Sequence, residues 1–275
     1  MSVKYFNGEF VKDSISIDPN DRGYQFGDGI YEVIRVYDGK LFTGIEHFER
    51  LLRSAAEIQI KLEQTVDDYM AICERLVAEN YIQNGNIYVQ VTRGAAVRNH
   101  LFPESSEPVT FIYTYDSERP VQGMKEGVKV ITTDDIRWLR CDIKSLNLLG
   151  NVLNKQKAKE AGGTEAIQLR EGIVTEGTSS NAYIVKEGAI YTHPANNLIL
   201  NGITRQVIKT CAAEMGIPFI EQSFDKDALF AADEIFISST SIEVTPVNQV
   251  DDQPFAVGPV TQKLQQAFEQ KISAL

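Results

Sequence analysis

Near the middle of the chain, Asp116-Ser117-Glu118-Arg119-Pro120 breaks every hydrophobic periodicity. Charged and hydroxyl residues ahead of a proline neither continue a strand nor extend a helix, so the stretch divides the chain into two folding units. The boundaries it predicts are residues 1–116 for a small N-terminal α/β domain, 117–121 for a linker and 122–275 for a larger C-terminal domain. With 275 residues, 43% of them apolar, each half can bury a core of its own.

The first half opens on a hairpin, Val3–Phe6 and Glu9–Lys12 about Asn7-Gly8, and a second hairpin joins Ile30–Tyr37 to Lys40–Phe42 through Asp38-Gly39. Glu46–Gln59 has helical apolar spacing, and Asp67–Ala78 is a second helix that Thr65 is placed to cap. Asn86–Arg93 and Val109–Thr114 read as strands. In the second half, Gly127–Thr132 is a strand, and a helix from about Asn147 to Ala161 ends at Gly162-Gly163. Short strands follow at Glu165–Arg170, Ile173–Thr175, Asn181–Lys186, Ala189–Thr192, Pro218–Glu221 and Glu234–Ser238. Helices are predicted over Thr204–Met215 and Pro259–Ser273. The pattern is a two-domain α+β or α/β protein with mixed or antiparallel sheets.

Net charge is −11, which argues against nucleic acid and anionic membrane as partners. No apolar run approaches the ~18 residues of a membrane span, and the N-terminus lacks a signal-peptide pattern. Cys73, Cys141 and Cys211 are odd in number and without metal spacing, as expected of free thiols, so the cytoplasm is the predicted compartment. The histidines His47, His100 and His193 stand apart, and no metal site is expected.

The chemistry centres on Lys144, which sits in sequence among Leu139, Ile143, Leu146, Leu148 and Leu149. Apolar surroundings disfavour an ammonium ion, and a lysine that attacks a carbonyl or takes a proton from carbon must be neutral. Thr175–Asn181 sets the lone carboxylate of Glu176 at a strand end ahead of Ser179 and Ser180, which alone would read as a polar turn. Asn201-Gly202-Ile203-Thr204-Arg205 brings glycine and threonine to a helix N-terminus, where free amides suit a phosphate, although plain capping explains the threonine equally well. Ser238-Ser239-Thr240-Ser241 offers hydroxyl donors to the same phosphate or forms a turn, and Arg50 offers a counter-charge. In an extended loop Arg98 and His100 project the same way, a spacing suited to gripping one carboxylate.

These residues together resemble the D-amino-acid aminotransferases, of the pyridoxal-phosphate (PLP) family that also holds branched-chain aminotransferases and aminodeoxychorismate lyases. The likeness runs from about Phe6 to Lys271 and is closest at Asp21–Glu32, Asp135–Gly150, Thr175–Asn181 and Tyr191–Arg205. The resemblance implies a fold-type IV PLP enzyme, a small N-terminal domain and a larger C-terminal one carrying the lysine, assembled as a homodimer with PLP between the domains. It implies Lys144 as the Schiff-base lysine, Glu176 at the pyridine nitrogen, and Arg50, Ile203, Thr204, Ser239 and Thr240 at the phosphate. Leu200, Ser179 and Ser180 fall beside the ring, while Tyr31, Arg98 and His100 form the substrate-carboxylate trap, the last two from the partner subunit. The implied reaction exchanges amino groups between D-amino acids and 2-oxo acids, D-alanine plus 2-oxoglutarate giving pyruvate plus D-glutamate. The alternative is another activity of the same family, branched-chain transamination or the lyase reaction. Arg35 departs from the lysine frequent in close relatives, as does Val97-Arg98-Asn99 within the loop, which bears on side-chain preference.

Overall fold

The computed structural model describes residues 2–275. The chain forms two compact units, one running up to Glu118 together with Ile143–Asn147, the other comprising Arg119–Asp142 and Leu148–Leu275. The sequence assigned Lys144 to the second domain, but its segment packs with the first. The reason is backbone pairing: Tyr31 N–H donates to Lys144 C=O and Leu146 N–H to Gly29 C=O, each at 3.0 Å.

In the first unit the elements are β1 (Lys4–Phe6), β2 (Glu9–Val11), α1 (Arg22–Phe26), β3 (Gly29–Tyr37) and β4 (Lys40–Leu41). They continue with α2 (Gly44–Glu57), α3 (Val66–Glu79), β5 (Gly85–Thr92) and β6 (Val109–Asp116). The strands make a six-stranded antiparallel sheet in the order β2-β1-β6-β5-β3-β4. Asn7 and Gly8 take left-handed backbone angles, φ 45° and 94°, as a two-residue hairpin turn requires. Thr65 caps α3 in a reciprocal box with Asp68. Alternation then sorts the sheet faces: Ile30, Ile34, Ile87, Val89, Val91 and Ile112 join Phe48 and Leu51 of α2 and Tyr69 and Leu76 of α3 in one core. Each such side chain contributes roughly 1.5–3 kcal/mol by leaving water. Tyr31, Val33 and Arg35 face the other way, in register with Gln90, Tyr88 and Asn86 of β5.

The second unit contains α4 (Val121–Glu126), β7 (Val128–Asp134), α5 (Leu149–Glu160), β8 (Glu165–Arg170), β9 (Ile173–Gly177), β10 (Asn181–Lys186) and β11 (Ala189–Thr192). Then come α6 (Ile203–Glu214), β12 (Phe219–Glu221), α7 (Lys226–Phe230), β13 (Glu234–Ser239), β14 (Glu243–Val250), β15 (Gln253–Pro254) and α8 (Pro259–Ser273). Its nine-stranded sheet runs β12-β11-β10-β13-β14-β7-β8-β9, with β15 on β14. The sequence reading does not include β14, whose Pro246 has no N–H to give to a ladder. The ladder to β7 begins only at Val247, so Pro246 has a paired neighbour on the β13 side alone, where it opposes Phe236. The short helices α1, α4 and α7 are likewise absent from it, being too brief for periodicity to register. Among the described residues no helix is long and apolar enough to cross a membrane.

Candidate active site

Lys144 lies in a loop that is sewn to β3 on one side and to α2 on the other. Besides the two β3 bonds, Ser145 bridges Ile30, and Lys144 N–H reaches the buried Ser54 hydroxyl at 3.4 Å. Gly29 permits this approach, since a Cβ there would stand 2.6 Å from Val91 C=O and 2.8 Å from a Leu146 methyl. The apolar cage read from the sequence is not what meets the amine: Leu139 is 59% and Leu149 71% exposed. Instead Lys144 Nζ lies 4.3 Å from the centre of the Tyr31 ring, which itself stacks on Tyr88 at 5.9 Å. The ring faces the amine with its π-electrons and fixes it in place.

On the opposite face of β3, Glu32 is fully buried among α2 residues. Arg50 closes on it bidentately, Nε to Oε1 at 2.7 Å and Nη2 to Oε2 at 2.8 Å, while His47 Nδ1 lies 2.7 Å from Oε2. Burial opposes the Glu32 charge, but the Arg50 guanidinium and His47 hold its carboxyl far below the usual range. His47 is pushed down by burial against the pull of Glu32. Arg50 is thus held rigidly through a carboxylate that sequence reasoning did not associate with it.

Arg98 and His100 converge on one ring. The Arg98 guanidinium sits 4.7 Å from the centre of Phe26, and the His100 ring centre is 5.5 Å from it. Arg22 secures the loop between them by donating to Asn99 C=O at 2.6 Å. Both side chains are exposed in the single chain.

In the second unit Glu176 is buried at the end of β9. It accepts from Arg137 Nη1, from Asn181 Nδ2 at 2.9 Å, and from Leu200 N–H, 3.1 Å from either oxygen. Arg137 is anchored in turn by Asp135, Nε to Oδ1 at 2.9 Å and Nη2 to Oδ2 at 2.8 Å. Burial lifts the Glu176 carboxyl to about 7, with Arg137 and the Leu200 amide opposing the rise. Asp135, where burial is outweighed by Arg137, falls to about 2. Sequence reasoning missed Arg137, Asp135 and Asn181. The signal was present in part, because Asp135 and Arg137 are two apart and share a face in extended chain.

Asn181 also ties Glu176 to the start of α6. Its Nδ2 donates to Leu200 C=O at 2.8 Å, and its Oδ1 would meet a Gly202 Cβ at 2.3 Å. Gly202, not Thr204, is the cap of α6, and no side chain caps the amides of its first turn, so capping does not account for Thr204. Asn181 is in register with Ser238 of β13, which brings Ser239 and Thr240 beside that helix start. Ser238 is itself engaged with the Tyr183 hydroxyl at 2.8 Å, and Ser239 Oγ lies 3.4 Å from Ser241 Oγ.

The donor set suits PLP. Three donors on Glu176 occupy its lone pairs incompletely, since a carboxylate offers about four such sites, and a protonated ring nitrogen matches the remaining one. The first-turn amides of α6 match a phosphate. Residues 29–250 match the family described as amino-transferase class IV. The chain belongs to the class IV aminotransferases, PLP-dependent enzymes that transfer amino groups.

Individual relatives are close and full-length. The chain is 54% identical over 279 residues to the D-alanine aminotransferase of Staphylococcus epidermidis, covering 100% of this chain and 99% of that one. It is 49% identical to that of Bacillus licheniformis, covering 97% and 96%. Among solved structures, the branched-chain amino acid aminotransferase of Escherichia coli superposes with a TM-score of 0.89 at 29% identity, covering 98% and 93%. The branched-chain aminotransferase of Thermoproteus uzoniensis, solved with norvaline, gives 0.90 at 26%, covering 99% and 95%.

Proposed function

We propose that this chain is a D-amino-acid aminotransferase that converts D-alanine and 2-oxoglutarate into pyruvate and D-glutamate. The observation that carries the handedness is the full-length identity of 49–54% to D-alanine aminotransferases, against 26–29% for the branched-chain enzymes above. When bound, PLP supplies an aldehyde that condenses with amines and a ring that draws electrons from the substrate's α-carbon. Lys144 would serve as the base that takes the α-proton of the amino acid and as the acid that delivers it to the carbon that had been the cofactor's aldehyde. Glu176 would accept the N–H of the ring nitrogen and so keep it protonated, with Arg137, Asn181 and the Leu200 amide holding its carboxylate in place. Arg50, Ile203, Thr204, Ser239 and Thr240 would hold the phosphate, and Leu200, Ser179 and Ser180 would fall beside the ring. Tyr31, Arg98 and His100 receive the substrate carboxylate.

The exposure of Arg98 and His100 in the single chain supports a homodimer in which each protomer lends them to its partner. The acidic charge and free buried thiols support a cytoplasmic setting. The deciding experiment offers the purified protein a panel of D- and L-amino acids with 2-oxoglutarate. Turnover of D-alanine with formation of D-glutamate is expected, and turnover confined to L-amino acids would overturn the reading.

A further inference from the structure

Glu165 opens β8 and is 1% exposed, yet no step above employs it. Its Oε1 accepts Ala166 N–H at 2.9 Å, Thr178 N–H at 3.2 Å and the Thr178 hydroxyl. Its Oε2 accepts Ser179 N–H at 3.2 Å, the Ser179 hydroxyl at 2.9 Å and the Ser180 hydroxyl at 3.1 Å. Lys155 Nζ lies 3.2 Å from Oε2, and Asn151, one turn earlier on α5, donates to Thr178 C=O at 2.7 Å. Burial pushes this carboxyl up, but the Lys155 charge and the bonds from Thr178, Ala166 and Ser179 outweigh it, and Glu165 stays below the ordinary glutamate range. Gly177 tightens the turn further. A Cβ there would stand 2.2 Å from Ser180 Oγ, and its N–H donates to Ser180 C=O at 2.7 Å.

An ionised carboxylate only accepts hydrogen bonds, and a hydroxyl has one proton to give. These donors share the roughly four acceptor sites of the carboxylate, and Lys155 Nζ also lies 3.4 Å from Ser179 Oγ, but Ser180 Oγ has Glu165 as its one hydrogen-bond partner among the described residues, so its proton points there and its lone pairs are left for any other partner. We propose that Glu165 is a positioning residue that fixes the hydrogen-bond polarity of the Thr178–Ser180 turn, so that Ser180 meets the reactants as an acceptor. Such a wall receives the N–H of an amine and disfavours a carboxylate, which leaves the substrate carboxylate to Arg98 and His100. The inference deepens the reading above and rests on its placement of Ser180 beside the cofactor.

The test compares Glu165→Gln, Ser180→Ala and the double variant as holoenzymes, with cofactor content and thermal midpoint measured for each. Glutamine turns an amide donor toward the hydroxyls, so at least one must rotate and present its proton outward. Propanoate, a carboxylate without an amine, is the probe, and its binding is read from the absorbance of the bound cofactor, without turnover. In Glu165→Gln propanoate should bind roughly three- to ten-fold more tightly, the range of one hydrogen bond, while KM for D-alanine rises by a similar factor and kcat changes less. The propanoate gain should vanish in the Ser180→Ala background. A Glu165→Gln enzyme that weakens both ligands alike, or whose gain survives Ser180→Ala, overturns the proposal. Should Glu165→Gln not fold, Ser180→Ala decides alone: a raised KM for D-alanine with propanoate binding kept supports the proposal, and equal loss of both overturns it. A wild-type protein that binds propanoate but does not transaminate D-alanine refutes the assigned reaction, while the Glu165 comparison still stands or falls on propanoate.

Discussion

Replacing Arg137 by methionine tests the electrostatic frame of the second unit most directly. The guanidinium is 5% exposed and lies between two buried carboxylates, Asp135 and Glu176. Removing one partner of a buried ion pair typically costs about 3–5 kcal/mol, because the remaining charge is left without compensation. At about 2–4 °C per kcal/mol for a chain of this size, the thermal midpoint should fall by roughly 6–20 °C. The loss should depend on pH with a definite sign. In the cofactor-free protein burial lifts Glu176 to about 7, so at pH 5.5 it is largely protonated and needs the guanidinium less, whereas at pH 8 it is charged. The variant should therefore lose more at pH 8 than at pH 5.5. Glu176→Gln in the same background removes one orphaned charge, and the two substitutions should couple by about 1–3 kcal/mol. Urea unfolding of the cofactor-free wild type, both single variants and the double variant at the two pH values gives all of these numbers. A loss below about 1 kcal/mol, a larger loss at pH 5.5, or strict additivity would refute the reasoning.

Three further outcomes are expected. Because burial raises Glu176 from 4.5 to about 7, its stabilising share is complete below pH 4.5 and is lost as pH rises through 7; the total is about 3 kcal/mol, and Glu176→Gln should flatten that part of a stability–pH curve. Arg98→Ala should lower kcat/KM for D-alanine by roughly thirty-fold to a few thousand-fold, mostly through KM, as expected for about 2–5 kcal/mol of carboxylate binding. Amines lacking a carboxylate should be much less affected, and equal damage to both would remove Arg98 from that role. Gly94→Ala should destabilise by at least about 1–3 kcal/mol in thermal melts, since φ is 92° and a Cβ would meet Glu107 C=O at 2.0 Å. A variant as stable as the wild type would contradict the backbone described at the root of the Arg98 loop.

What the sequence made legible was mostly local. Asn7-Gly8, Thr65 and the helix over Pro259–Ser273 carry their own turn or capping chemistry, and the structure places them as read. The apolar setting of Lys144 was misread because neighbours in sequence were taken as neighbours in space. Leu139 and Leu149 turn outward, and the residue that meets the amine is Tyr31, more than a hundred positions earlier. Arg137, Asn181 and Glu32 were missed for a related reason. Each is significant only through a partner that the fold brings to it, and a single buried arginine or glutamate looks in sequence like any solvated charge. Strand β14 carries Pro246 inside it, which is tolerated because the ladder to β7 begins only at Val247.

The grouping of Ile143–Asn147 with the first unit has a consequence for how the protein is made. The chain leaves that unit after Glu118, returns for five residues and leaves again. During synthesis, Tyr31 N–H and Gly29 C=O wait for Lys144 and Leu146 until Asn147 has been added. At roughly 5–20 residues per second, that delay is about one and a half to six seconds after Glu118. The first unit is therefore finished by a piece translated late, and a gene cut at the Glu118 boundary would yield an N-terminal fragment without its lysine.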